Sequence, residues 1–434
     1  MSSKDPSLIY DIAIIGGGAS GMAAALGAVC EGSSVCIIEG NERVGVKILK
    51  TGNGRCNLTH IPISGEEYRG SGAKRIHGFM DRFGTEDTIA AFKNIGLLVR
   101  ERDGYVYPYS ENASSVLDCL RFAVRERGVK LYTSARAVSL KKENVFLVKV
   151  KNSDSSSCVL KAGRIILCTG GSADPKSGSD GSGYMLAKDM GLKVIKPLPA
   201  LVKVITDDKN AAILSGVRAK GKVTVNTHDT VNSVPDVTQG ITDSGEIQFT
   251  KDGLSGIPVF NVSRYISRAI DNKQKVKVFI DIMPDMTKEE LTGHINRMRN
   301  DSVSFTVEEL FSGSVNKKIS QYIFKRIGIN PNIKACELND AKITEYVSNI
   351  KCLEFDIKAV YGFDAAQVTC GGVAFEEVDD DLQSIKVPGM YLAGEILDTD
   401  GPCGGYNLQW AWTSGYIAGK SCADEVRSSL SINV

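Results

Sequence analysis

The sequence predicts an α/β fold in which one domain, assembled from both ends of the chain, is interrupted by an inserted β-barrel and a small helical subdomain. Three observations predict it. Strand, glycine turn, helix and second strand follow one another within the first 40 residues; the texture changes after Lys193 to short β-type runs; and the last 40 residues return to strand, glycine turn and helix. With 434 residues the chain is too long for one ordinary core, so two or three domains are expected.

The elements follow in order. Tyr10–Ile15 is a short apolar strand, Ala19–Cys30 a small-residue helix and Ser34–Glu39 a second strand. Strand-like runs recur at Lys130–Tyr132, Val145–Val150 and Arg164–Cys168, with helical patterns at Thr85–Ile95 and Ser114–Arg127. That alternation predicts a parallel sheet with crossover helices, and Ser153–Ser157 reads as a hairpin turn. Lys193–Ile205, Val217–Val225, Gly245–Thr250 and Val276–Ile280 are β-type segments parted by Gly, Asp and Asn, which suggests a small antiparallel barrel or sandwich. Glu289–Met298, Val307–Phe311 and Asn316–Ile327 are helical, and strand signals resume at Glu354–Tyr361. The expected boundaries are 1–194 with 366–434 for the first domain, 195–283 with 351–365 for the barrel, and 284–350 for the helices.

Composition narrows the function classes. A net charge of +1, 42% hydrophobic and 24% charged residues describe a globular protein with no global pull toward a polyanion. Eleven cysteines are scattered without a Cys-x-x-Cys, and His60, His77, His228 and His294 lie far apart. Neither a disulfide framework nor a metal site is expected, and the thiols read as buried small residues of a cytoplasmic protein. No run of 18 apolar residues suggests a membrane span. The apolar stretch Ile12–Cys30 imitates a signal peptide, but Asp11 and three consecutive glycines argue against that reading.

Gly16-Gly-Gly-Ala-Ser-Gly21 fits G-x-G-x-x-G between a strand and a helix, with Glu39 18 residues after Gly21 at the end of the next strand. Gly16 permits the tight turn, Gly18 lets backbone approach a pyrophosphate, and Gly21 lets helix and strand pack closely. The helix opening at Ala19 and Ser20 offers free N–H groups to the phosphates, and Glu39 and Gly40 would meet the adenosine ribose. This is a Rossmann-type dinucleotide site. The turn-rich Gly45–Asn57 carries three cations where an NAD dehydrogenase would pass into another helix, which favours FAD. Lys47 and Arg55 would balance phosphate or flavin charge, and Gly52 and Gly54 allow close backbone approach.

Two further strand tips point at the same cofactor. Arg164-Ile-Ile-Leu-Cys-Thr-Gly-Gly171 places Thr169, Gly170 and Gly171 beside it, and Met390-Tyr-Leu-Ala-Gly-Glu395 brings Gly394 and Glu395 to its ribityl chain. Asp398 opens a turn rich in glycine, and a helix starting after Gly405 would aim its positive end at the flavin. Ala137 and Val138 would set a backbone edge against adenine. Trp410 and Trp412 read as helix packing.

These segments together resemble the YhiN/BaiN family of FAD-dependent oxidoreductases, within the glutathione-reductase-like flavoproteins. The matching motifs are Gly16–Gly21, Gly52-Asn-Gly-Arg-Cys-Asn57, Gly245–Gly256, Val368-Thr-Cys-Gly-Gly-Val373 and Gly394–Gly415, spanning nearly the whole chain. The resemblance implies FAD contacts at Gly16, Gly18, Ser20, Gly21, Glu39, Lys47, Asn53, Arg55, Cys56, Asn57, Gly170, Gly394, Glu395, Asn407, Leu408 and Gln409, with Tyr406 beside them. Glu395 departs from the wider superfamily, where aspartate is usual. The implied reaction is NAD(P)H-driven reduction of an activated C=C in a small molecule such as a bile-acid enone. Members of the family also suggest dihydrouridine formation in ribosomal RNA and oxidation of aminoacetone by O2. No second G-x-G-x-x-G exists, so NADH or NADPH would visit the flavin transiently. Residues 193–345 hold 22 Lys+Arg and 18 Asp+Glu, a difference of +4 that supports RNA binding only weakly. Cys403 and Cys56, both in glycine-rich turns, are the candidate proton donors, with Cys403 ahead because a helix begins just after it.

Overall fold

A computed structural model describes residues 9–228, 240–301 and 304–432. Packing divides the chain into two units, Met1–Leu198 with Gln367–Val434, and Pro199–Ala366.

The first unit is built on a seven-stranded sheet. Its strand order is Lys130–Tyr132, Val35–Ile38, Ile9–Ile15, Ser157–Leu167, Phe146–Asn152 and Ala135–Lys142, with Met390–Leu392 also pairing Ser157–Leu167. The first four and the last-named are parallel, as alternating strands and helices require. The sequence reading is corrected at one edge. Phe146–Asn152 is antiparallel to both neighbours, because turns of only a few residues join it to them and parallel pairing needs a long crossover. The strand Ala135–Lys142 was not anticipated.

The first helix, Ala19–Ala28, is almost entirely buried and crosses the last helix, Tyr406–Ile432. Small residues allow the backbones to approach. A Cβ at Gly415 or Gly419 would overlap the carbonyl oxygens of Ser20 and Ala24, and one at Gly27 would stand 2.6 Å from the Tyr416 oxygen. A separate three-stranded sheet, Thr59–His60, Tyr105–Pro108 and Val99–Arg102, lies in the same unit.

The second unit is a closed six-stranded antiparallel barrel with helices. Around it run Val204–Thr206, Gly253–Gly256, Ile241–Phe249, Arg218–His228, Lys275–Asp281 and Leu353–Val360. The expected single run Lys193–Ile205 is two strands: Val194–Ala200 pairs with Val368–Val373, and only Val204–Thr206 joins the barrel. Lys288–Asp301, Val307–Phe311, Lys317–Ile327 and Asp340–Lys351 form the helical part. Asp340–Lys351 falls in the stretch expected to be helical, though it was not singled out; Ile257–Asp271 was unforeseen, and it starts with Pro258 in its first turn and buries Val259, Val262 and Ile266. Among the described residues no helix is long and apolar enough to cross a membrane.

Candidate functional site

The first unit holds a cavity whose wall is assembled from four strand ends and the starts of the helices that follow them. Ile15, Gly16, Gly18, Ala19 and Ser20 line its middle; Ile38, Glu39, Gly40, Arg136 and Ala137 line one part, and Glu395, Thr399, Asn407 and Leu408 another. The parallel strands deliver their carboxyl ends to it, the position where open α/β sheets bind ligands.

The glycine turn is shaped as its sequence requires. Gly16 has φ +100°, where a Cβ would overlap the Cys168 carbonyl. Gly18 is the N-cap of the first helix with no side-chain cap, so the first-turn N–H groups are left for a ligand. A Cβ there would meet nothing within 4 Å, so the backbone faces open space. Gly21 does not line the cavity. A Cβ at that position would overlap the Gly16 oxygen, so it serves the close packing of helix on strand.

Glu39 is buried, and its carboxylate braces this turn. One oxygen accepts from the Gly17 N–H at 2.7 Å and the other from the Asn41 N–H at 2.8 Å. Two lone-pair positions remain, enough for a pair of hydroxyls. Across the cavity, Lys47 Nζ lies 3.0 Å from Glu395 Oε2, and Glu395 Oε1 accepts from the Thr369 N–H at 2.8 Å. Arg136 is ion-paired with Asp180. Asn407 Oδ1 accepts from the Gly401 N–H at 2.9 Å while its Nδ2 donates to the Gly401 oxygen, closing the glycine turn against the last helix.

Two buried hydroxyls on the wall, Thr169 Oγ1 and Thr399 Oγ1, have no hydrogen-bond partner. Buried polar groups are rarely left so, and these mark where a polar ligand would complete the site. Uncapped helix N–H groups, one lysine, an acidic strand end and unpartnered hydroxyls form a donor and acceptor set that fits a dinucleotide with a polyhydroxy chain.

Thus Gly16, Gly18, Ala19, Ser20, Glu39, Gly40, Lys47, Ala137, Thr169, Gly170, Glu395, Asn407 and Leu408 are brought to one cavity. The other expected positions lie outside its lining, each for a local reason. Gly52 and Asn53 take left-handed φ of 56° and 54° and turn the chain outward, leaving Gly52, Asn53 and Arg55 exposed; of residues 51–57 only Thr51 reaches the wall. Asn57 is buried below the turn. Val138 is 40% exposed, since successive strand residues point to opposite faces and Ala137 points in. Gly171, Gly394 and Gly405 are packing glycines: a Cβ would stand 2.7 Å from Glu395 Oε1, 2.6 Å from Ser20 Oγ and 2.6 Å from the Thr59 carbonyl carbon, respectively. Asp398 is spent on the Ser71 and Gly371 N–H groups, at 2.7 and 2.9 Å. Gln409 is fully buried, its Nε2 donating to Gly84, Thr88 and Thr413. The Tyr406 ring stacks on His60.

The two candidate proton donors part company. Cys56 is fully buried in the apolar core, away from the cavity lining, and burial pushes its thiol up to about 12. That is the opposite of the lowered value expected for a turn beside a helix N-terminus, because the loss of water outweighs the hydrogen bond with Thr51, which acts to lower it. Cys403 is half-buried, with Sγ 3.8 Å from Gln367 Oε1. Trp410 and Trp412 are both buried; their ring N–H groups donate to the Gly394 and Leu58 oxygens.

Sequence reasoning missed Asn41, Gly45, Arg136, Gln367 and Thr399, and the loop Ser177-Gly-Ser-Asp-Gly-Ser182, of which Ser177, Gly178, Ser179 and Ser182 line the wall. That loop's dense glycine and serine content, just after Thr-Gly-Gly, was a readable signal.

Comparison with known proteins agrees with this geometry. The chain is 38% identical over 417 residues to a Clostridium scindens protein named 3-dehydro-bile acid delta(4,6)-reductase, covering 95% of this chain and 99% of that one. It is 26% identical to a Haemophilus influenzae protein named ribosomal RNA dihydrouridine synthase, covering 94% and 97%. Among solved structures it shares its fold with 3-ketosteroid-delta4-(5alpha)-dehydrogenase of Rhodococcus jostii RHA1, at TM-score 0.50 and 14% identity, covering 97% of this chain and 98% of that one. The model of the HI0933-like protein Rossmann domain matches residues 10–421, and the chain therefore belongs to the HI0933-like family of FAD-dependent oxidoreductases.

Proposed function

We propose that the protein reduces an activated C=C bond in a small apolar enone of the bile-acid or steroid kind, with NADH or NADPH as donor. The observation that carries this reading is the 38% identity, across 95% of the chain, to the relative named as a bile-acid Δ4,6-reductase. In this reading the first-turn N–H groups of Ala19 and Ser20 and the Lys47 ammonium hold the pyrophosphate of FAD. Glu39 takes the adenosine ribose, and Thr169, Thr399 and Glu395 take the ribityl hydroxyls. When bound, FAD supplies hydride. The N-terminus of the Tyr406–Ile432 helix stabilises negative charge at the flavin's edge through its dipole.

The test is anaerobic. FAD-loaded protein should be bleached by NADH or NADPH and then reoxidised by a 3-keto-Δ4 steroid, with the saturated ketone as product. Reoxidation by unmodified rRNA and by no enone would move the substrate to the uracil ring, in line with the rRNA-modifying relatives at 26% identity. Reduction by an amine followed by reoxidation by O2 alone would make the protein an oxidase and end the proposal.

A further inference from the structure

We propose that Tyr406, backed by His60, delivers the proton that completes enone reduction; this rests on the reading of the protein as a C=C reductase. The Tyr406 and His60 rings are stacked, 5.2 Å between centroids and 18° between planes. Tyr406 Oη lies 3.4 Å from His60 Nδ1, which is also 3.3 Å from the Pro62 oxygen. A carbonyl only accepts, so Pro62 favours the tautomer with hydrogen on Nδ1. That one N–H is shared between the Pro62 oxygen and Tyr406 Oη as a three-centre bond, and the phenolic hydrogen is left to be given elsewhere.

Neither Tyr406 nor His60 lines the cavity itself, but the chain passes directly from Tyr406 into its wall. Tyr406 opens the last helix, and the next two residues, Asn407 and Leu408, line the cavity. Its backbone is held by Tyr68, whose hydroxyl donates to the Tyr406 oxygen at 2.7 Å. The Tyr105 ring also packs against His60 at right angles, 5.0 Å between centroids. Tyr105 also stands against Gly404, where a Cβ would come within 2.9 Å of its ring. Tyr406 and His60 are both half-buried, so water reaches the pair. Cys56 has no such access.

The proton balance closes. Hydride addition at the β-carbon leaves an electron pair shared by the α-carbon and the carbonyl oxygen. The Tyr406 O–H bond breaks and an α-carbon–hydrogen bond forms. The phenolate takes the Nδ1 proton of His60, while Nε2 gains one from water. Burial, with the Glu67 carboxylate nearby, pushes the Tyr406 phenol up and keeps it protonated at neutral pH. An enolate carbon is a far stronger base than a phenolate, so the transfer is downhill.

The test separates this claim from the reading beneath it. Wild-type protein, reduced anaerobically by NADH or NADPH, is mixed with a 3-keto-Δ4 steroid or with ferricyanide, which accepts electrons without needing a proton on carbon. Tyr406→Phe should keep its FAD and ferricyanide rate and lose about a hundredfold or more in reoxidation by the enone. His60→Gln should lose less and show a larger solvent deuterium effect on that step. Independently of turnover, Tyr406→Phe should move the His60 imidazole resonances at fixed pH, assigned by their absence in His60→Gln. The groups facing the pair are Tyr68, Tyr105 and Glu67, which the substitution leaves in place. Wild-type enone rates in Tyr406→Phe overturn the assignment alone. Failure of the wild-type protein to react with any enone overturns the reductase reading and this assignment with it.

Discussion

Lys47 Nζ and Glu395 Oε2, 348 residues apart in sequence, meet at 3.0 Å on the cavity wall with each side chain only partly exposed. A lone carboxylate here would repel an anionic cofactor, and a lone ammonium would be strongly attractive but costly to bury. Lys47→Met should therefore weaken FAD binding by tenfold or more, and Glu395→Gln by less. Together they should cost less than the sum of the two, because the double variant leaves no unpaired charge. Flavin fluorescence titration of refilled apoprotein measures all three, and strictly additive losses would show that the pair does not act as a unit.

Gly18 and Gly21 differ although both belong to one motif. A methyl at Gly18 enters open space, at φ −77°, so Gly18→Ala should fold with native stability. Gly18→Val should likewise fold but exclude the pyrophosphate, giving colourless protein. At Gly21 the methyl collides with backbone, and Gly21→Ala should cost about 3 kcal/mol or more even without cofactor. Thermal melts of the apoproteins beside FAD content decide it; equal destabilisation by Gly18→Ala and Gly21→Ala would refute the division.

How much of this was legible follows from range. Strand, glycine turn and helix at residues 10–30 are set by neighbours, so their pattern is in the sequence, and the closed barrel announced itself by short runs and turn residues. The antiparallel strand Phe146–Asn152 was misread because alternation looks alike in either direction, although the hairpin turn read at Ser153–Ser157 already required antiparallel pairing on one side and the short Lys142–Phe146 link required it on the other. Ile257–Asp271 was lost because Gly256-Ile-Pro reads as loop, although Val259, Val262 and Ile266 keep helical spacing. At the site, the glycines were found by type, but type alone does not separate a glycine that faces a ligand, such as Gly18, from one that admits a neighbour, such as Gly394. Nor does sequence show that Gly52 and Asn53 bend Arg55 away from the wall, since both readings need the same residues.

The first and last helices supply a third prediction. Gly419 has the Ala24 carbonyl where its Cβ would be, so Gly419→Ala must part the two backbones. Loss of about 2–3 kcal/mol is expected, several degrees in Tm for a unit of this size. Separation of these helices also moves Ser20 away from Gly394, so FAD affinity should fall with stability. A variant that melts early but binds FAD with unchanged affinity would show that the crossing does not position the site.

The last prediction concerns alkaline pH. Burial pushes the thiols of Cys36, Cys56 and Cys168 up to about 12, from an ordinary value near 9. Each native thiol keeps its proton between pH 9 and 12, while the unfolded chain loses it. Folding stability from these groups is thus fully present below pH 9 and falls as pH rises toward 12. Each contributes a slope on the order of 1.4 kcal/mol per pH unit in that window. Buried phenols such as Tyr184 and Tyr68, also raised by desolvation, add to the same decline. The thiol share is isolated by the Cys36→Ala, Cys56→Ala, Cys168→Ala triple variant. Its urea midpoint should be lower than the parent's at pH 8 but fall less between pH 9 and 11. Alkylation offers a second readout: exposed Cys336 should react with iodoacetamide first, and the three buried thiols only on unfolding. Equal slopes in parent and triple variant, or native alkylation of Cys56 at pH 9, would mean that the core admits water at these sites.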